Sequence, residues 1–285
     1  DLDIRDDTVI LGTSAQDTVI DANQSDRVID IFIVGGRTTK VHIGGITLRG
    51  GRINYAGGDG GCIFNEGDLT LQDIILTDCR SASADGAGGA IFNADGQLML
   101  TGSLVSDSFA TSGGGVASTG FLDAANTAFR HNSATQGGGL FLPRGEIYLV
   151  EVDIDQNHST QHGAGIHLGN HGASGTPVSA TILNSRITDN VMEANQVAGQ
   201  ADPQGAGIFV IAQSNLYVEN SVIRGNRGAD QCFVCKVSGG GIYNEDGVVV
   251  LNNVSVIENR AALWGGGIYN YIEGTLLVIA STISN

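Results

Sequence analysis

Lysine is almost missing from this chain. Lys40 and Lys236 are the only two in 285 residues, and all Lys and Arg together number 14 against 30 Asp and Glu, a net charge of −16. A nucleic-acid partner needs a basic stripe that neutralises phosphates and releases counterions. No run of basic residues is present, so nucleic acid and an anionic membrane surface are both disfavoured. Proline, at 3 residues, is too scarce for collagen or a Pro-rich linker. No apolar run is long enough for a transmembrane helix, so no direct membrane insertion is expected of this segment. No window sustains a helical period, which removes bundles and coiled coils. An initiator Met and a signal peptide are also lacking, and Asn285 falls part-way through a repeat. The chain is therefore expected to be an internal segment of a longer exported protein. Its acidic, Lys-poor, Thr/Ser/Asn-rich composition suits the outside of a microbial cell.

Glycine is abundant instead, at 43 residues, and it is periodic. Eight blocks of small residues lead into an aliphatic position and then an aromatic-type one: Gly60-Gly61-Cys62-Ile63-Phe64-Asn65, Gly88-Gly89-Ala90-Ile91-Phe92-Asn93, and the copies starting at Gly113, Gly137, Gly163, Gly205, Gly239 and Gly265. Start-to-start spacings are 28, 25, 24, 26, 42, 34 and 26. After each block a stretch of period-two alternation closes on Asn132, Asn157, Asn190, Asn226 or Asn259, with Cys79 and Ser108 in that place in the first two copies. Alternation in Val, Ile, Leu and Thr is the strand signal. A unit of some 25 residues cannot bury a strand face alone, but coiling that stacks equivalent strands in parallel does bury it. The predicted fold is all-β: a single-stranded right-handed parallel β-helix of roughly ten coils, continuous over residues 1–285. Residues 1–51 form N-terminal coils without the Gly block, and residues 52–285 carry the block repeats. The closing Asn is expected to take the left-handed conformation of a sharp corner and to hydrogen-bond from coil to coil. The glycines serve another corner.

Within a block the fourth residue is aliphatic in every copy and should point inward. The fifth (Phe64, Phe92, Ala117, Phe141, His167, Phe209, Tyr243, Tyr269) should then point outward. Insertions depart from the plain repeat at 169–179, 191–204 and 227–238, the last two expected beside each other on adjacent coils.

The opening Asp1-Leu2-Asp3-Ile4, then Thr18-Val19-Ile20-Asp21-Ala22-Asn23 and Asp26-Arg27-Val28, with Gly-Gly-Gly-Ile-Tyr-Asn followed by a strand ending in Asn, resembles bacterial exported right-handed β-helix proteins of the CSLREA-domain type. It is similar also to chlamydial polymorphic outer-membrane protein repeats. The resemblance spans nearly the whole chain. It implies a surface or passenger segment with no assigned chemistry.

Four constellations bear on chemistry. Asp153 and Asp155 share a strand face beside Asp189 of the next coil, a carboxylate set of the kind a glycoside hydrolase needs. Arg186 or Arg224 would be the base of a lyase. Alternation with inward Val152 and Ile154 equally describes a solvated strand face. Asn170-His171-Gly172 faintly resembles a pectin-hydrolase motif whose acidic partners are missing. His158, His162, His167 and His171 fall within 14 residues, a composition that suits Zn²⁺ or Cu²⁺ if they converge. They read more simply as a hydrated cluster. No cofactor is expected, and no specific motif indicates Ca²⁺. Cys232 and Cys235 are expected to close a disulfide within their insertion, with Cys62 and Cys79 as a weaker second pair. The aromatic file Phe64, Phe92, Phe141, His167, Phe209, Tyr243 and Tyr269 is either a contact strip for sugars or partner proteins or a stack that stabilises the solenoid. The expected function is non-catalytic: adhesion, display or envelope/filament assembly on the cell surface, with other envelope chains or polysaccharide as partners. The alternative is a polysaccharide lyase or glycoside hydrolase of the β-helix type.

Overall fold

A computed structural model describes residues 1–170, 177–193, 202–228 and 237–284. Three parallel sheets of ten strands each wind into a right-handed β-helix. One coil shows the plan. The Gly137–Gly139 corner leads into Leu140–Leu142, then Glu146–Val150, Asp153–Asp155 and His158–His162, before Gly163 begins the next coil. The first three segments belong to the three long sheets, and the fourth forms a narrower strip. Residues 1–51 supply the first two strands of each long sheet, for example Leu2–Ile4 and Ile29–Ile31. Ten strands at ~4.8 Å make a stack about 45 Å long.

Inward positions of all three sheets meet in one core. Ile63, Ile91, Val116, Leu140, Ile166, Ile208 and Ile242 pair in register along one wall and are fully buried. Leu71, Leu100, Ala124, Leu149 and Ile182 face them from the second sheet, and Leu76, Val105, Phe129, Ile154 and Ile187 from the third.

Polar ladders run inside the corners. Asn132, Asn157, Asn190, Asn226 and Asn259 are buried. Each side-chain amide donates to the next ring's Oδ1, at 3.1, 3.0, 2.8 and 2.9 Å in succession. Each Oδ1 also receives the backbone N–H of the ladder residue one coil before, as from Asn157 to Asn190 at 3.0 Å. The other Asn of the repeat ladders as well, Asn65 to Asn93 at 2.7 Å and Asn244 to Asn270 at 2.6 Å. Buried polar groups need partners, and the ladder from Asn132 to Asn259 supplies them once per turn.

The left-handed corner lies one residue earlier than expected. Asp78, Asp107, His131, Gln156, Asp189, Gly225 and Glu258 have φ between 52° and 67°, and each immediately precedes the ladder residue. The ladder Asn is not among the positive-φ residues. Its side chain is selected for the interior hydrogen bonds rather than for the turn. The first glycine of each block does have positive φ, from 57° to 70°. Where the second is also glycine it allows close backbone contact: a Cβ on Gly138 would lie 2.3 Å from the His158 carbonyl oxygen, though Ala164 and Ala206 take that place in two blocks.

Cys62 and Cys79 form a disulfide, with Cα atoms 5.4 Å apart. The pair expected only as the weaker second one is thus formed, because different parts of a coil meet where the coil closes on itself. The third block position packs against the ladder position of the same coil, as Gly139 does against Asn157 and Gly165 against Asn190. In the first block copy both places are Cys. Cys232 and Cys235 lie outside the described residues. Replacing both Cys62 and Cys79 by Ser is expected to lower unfolding stability by about 3 kcal/mol, the loop-closure value for so short a loop. A non-reducing peptide map should show the pair linked, and an unchanged denaturation midpoint in the double variant would refute the stabilising role.

Insertions leave the stack undisturbed. Val191 and Met192 pair with Arg227 and Gly228 where two excursions depart. Gln204 bridges Ser238 where they return. The parts between, 194–201 and 229–236, and residues 171–176 of the third insertion, lie outside the described residues.

Candidate functional site

The aromatic file exists as two stacks separated by Ala117, Phe64–Phe92 on one side and Phe141 to Tyr269 on the other, and its middle rings are covered. Phe64 pairs with Phe92, and Phe141, His167, Phe209, Tyr243 and Tyr269 follow in register. Ring centroids are 5.8 Å apart for Phe64–Phe92, 4.9 Å for Phe141–His167, 4.8 Å for His167–Phe209, and 5.4 Å for each of the next two steps. Phe209, His167 and Tyr243 are 0%, 1% and 2% exposed, and Phe64, Phe92, Phe141 and Tyr269 are half-buried. His162 stacks on Phe209 at 4.7 Å, while Ile211 and Ala212 pack with Phe209 and Tyr243. Burial, and after it the nearby Glu245 carboxylate, raises the Tyr243 phenol well above its ordinary pKa. Strand alternation says which side of a sheet a ring leaves from, not what lies over it. Burial closes off only His167, Phe209 and Tyr243; Phe64, Phe92, Phe141 and Tyr269 keep partial exposure, and Tyr269 meets the exposed Trp264 and Tyr271.

Asp153, Asp155 and Asp189 do line one groove, of about 580 Å³, together with Arg186, Arg224 and Glu258. Their chemistry is already committed. Asp153 accepts hydrogen bonds from Arg130 and, at 3.0 Å, from Arg186. Asp155 accepts from Thr188 at 2.9 Å and Gln156 at 2.8 Å. Asp189 sits at a left-handed corner with φ 52°, not on a strand. Arg224 is paired with Glu258 at 2.7 Å. Burial pushes the Asp153 carboxyl up, but the hydrogen bonds from Arg186 and Arg130, with their charges, outweigh it and hold the pKa below the ordinary value. A general acid requires the opposite shift.

The histidines separate into two environments. His158 opens to solvent on the fourth strip, with Nδ1 3.3 Å from Glu193. His162 and His167 are buried, their rings 6.0 Å apart and edge-on. His171 lies outside the described residues. Among the described residues the carboxylates of Asp1, Asp3 and Asp30 come within 4.8 Å of one another as a set, and Asp30 is already bonded to Arg27.

One outward file was not foreseen. It consists of the residue that follows each ladder position. Arg52 pairs with Arg80, and Phe109, Ser133, His158, Val191, Arg227 and Arg260 continue the ladder without a break. Each of these N–H groups is held by the ladder carbonyl of the coil before, as His158 to Asn132 at 2.8 Å and Arg227 to Asn190 at 3.0 Å. The chain still has no continuous basic stripe, but arginines scattered through the sequence line up at the two ends of this file. The signal was readable in the dipeptides Cys79-Arg80, Asn226-Arg227 and Asn259-Arg260.

No family model, curated protein or solved structure matches the chain.

Proposed function

We propose that the chain is a non-catalytic, extracellular or cell-surface β-helix serving adhesion, display or envelope/filament assembly. Kinship with exported β-helix proteins of the CSLREA-domain type is part of the same proposal. The Gly blocks and ladder asparagines support it. The observation that carries the functional reading is the state of the best acidic constellation. Asp153 is held ionised between two arginines, and Asp155 and Arg224 are each occupied by a neighbour. Asp153, the most enclosed carboxylate of the set, is therefore held away from the protonated form that a general acid must donate.

Acidic and neutral polysaccharides incubated with the protein, with and without Ca²⁺, are expected to keep their chain length and yield no new reducing or unsaturated ends. Turnover that disappeared in Asp153→Asn or Arg186→Gln would overturn the reading and establish the β-helix lyase or hydrolase instead.

A further inference from the structure

Arginine has an uneven place in this molecule. Of the 12 in the chain, Arg5, Arg27, Arg37, Arg49, Arg130, Arg144, Arg186 and Arg224 all lie within 3.5 Å of a carboxylate. Arg52, Arg80 and Arg227 stand instead in the outward file of the fourth strip, with Arg260 on the rung that follows. Arg80 has its carboxylate, Asp78, at 3.8 Å with both side chains half-exposed. Arg52 and Arg227 make no ion pair among the described residues and project into solvent. In a chain of net charge −16, most guanidinium groups are spent on internal acids. One face keeps its own directed outward.

The middle of the file adds a different chemistry. Phe109 is 44% exposed. It borders a shallow pocket of about 340 Å³ with Ser133, His158, Thr160 and Glu193. An aromatic face flanked by hydroxyl, imidazole and carboxylate groups suits the apolar face and hydroxyl rim of a pyranose. From Arg52 to Arg227 the file rises six rungs, about 29 Å at strand spacing. Guanidinium groups at both ends would meet negative charges, and a ring in the middle would meet a sugar face. Arg pairs with carboxylate and sulfate in planar, two-point geometry.

We infer that this file, Arg52, Arg80, Phe109, Ser133, His158 and Arg227, is a binding strip for an anionic polysaccharide laid along the solenoid axis. Charge selects the acidic polymer over a neutral one. The exposed Phe109 and the small pocket beside it favour a sugar over a peptide. Three guanidinium groups against an excess of sixteen negative charges disfavour nucleic acid, whose phosphates are far denser. The inference deepens the adhesion reading and rests on it only in assigning binding without cleavage.

The test uses immobilised protein and four probes: polygalacturonate, dextran sulfate, neutral dextran and random single-stranded DNA. At least one anionic polysaccharide should bind, more weakly as salt rises, and neutral dextran should not. Preference between the two anionic polymers assigns carboxylate or sulfate as the recognised group. Arg80→Gln with Arg227→Gln should weaken binding about tenfold, the sum of two exposed charge contacts, and flatten the salt dependence. Phe109→Ala should weaken it without changing the salt slope. Arg144→Gln, on a different face and paired with Asp95, should change nothing. All these side chains are exposed, and circular dichroism should confirm intact β-structure in each variant. Absence of binding to both anionic polymers, binding indifferent to the double variant, or DNA binding at least as strong as glycan binding would overturn the strip. None of these results touches the non-catalytic reading, which fails only if a polysaccharide is cut.

Discussion

Asn190→Leu is expected to be among the most destabilising single changes in the molecule, at about 4 kcal/mol, because four buried hydrogen bonds are lost together and the Asn157 N–H is left without a partner. The N–H and side-chain amide of Asn157 both donate to Asn190 Oδ1 at 3.0 Å. The Asn190 amide in turn donates to the Ile154 carbonyl at 2.9 Å and to Asn226 Oδ1 at 2.8 Å. Leucine keeps the branched skeleton and supplies none of these bonds. No water path substitutes for them, since the whole run from Asn132 to Asn226 is fully buried. Asn190→Ser should cost roughly half as much, because Ser108 already fills a ladder place and accepts the Cys79 N–H at 3.3 Å. Guanidinium denaturation of the three proteins checks this ordering. A loss below ~1 kcal/mol for the leucine variant would mean that the ladder decorates the corner rather than holding it.

Gly138→Ala is expected to cost about 3 kcal/mol or more, the upper range for overpacking, because the obstruction is backbone on both sides. The added Cβ would stand 2.3 Å from the His158 carbonyl oxygen and 2.5 Å from that of Ala164. No rotamer change relieves contact with a carbonyl that is itself fixed in a ladder. Gly139→Ala gives the comparison. Its Cβ would meet the Gly165 carbonyl oxygen at 2.7 Å and the Asn157 amide at 3.2 Å, more clearance than Gly138 has, while other blocks carry Ala at both places, Ala164 and Ala206 at the second and Ala90 at the third. Gly139→Ala should therefore be the milder change in denaturant midpoint and in soluble yield. Equal effects at the two positions would show that the stack yields where the geometry says it cannot.

The repeat made the architecture legible because every rung states the same pattern, and the pairing Ile63, Ile91, Val116 onward follows it without a slip. Errors arose where one residue type suits two roles. Asn tolerates a left-handed corner and also ladders well. Only the structure shows that Gln156 or Asp189 takes the corner while Asn157 or Asn190 takes the ladder. The Cys62–Cys79 disulfide was readable in principle. Aligning the third block position with the ladder position in every copy pairs Gly with Asn from Gly115/Asn132 onward, and Cys with Cys in the first copy. Burial of Phe209 and Tyr243 was not readable, since it depends on what folds over a face and not on which way a strand alternates. The arginine file escaped notice because its members stand 24 to 36 residues apart and belong together only once the coils are stacked.

The excursions after Asn190 and Asn226 leave the stack at one corner and rejoin it in register. Ile166 meets Ile208 across a 42-residue turn as squarely as Leu140 meets Ile166 across a 26-residue one. Axial reach in this molecule is therefore counted in turns and is independent of residue number. Loops at that corner can lengthen, shorten or change chemistry while whatever is attached above and below keeps its separation and its angle. A protein built this way is a measuring rod with replaceable fittings: contour length is inherited from the number of windings, and variation is confined to what projects from the side.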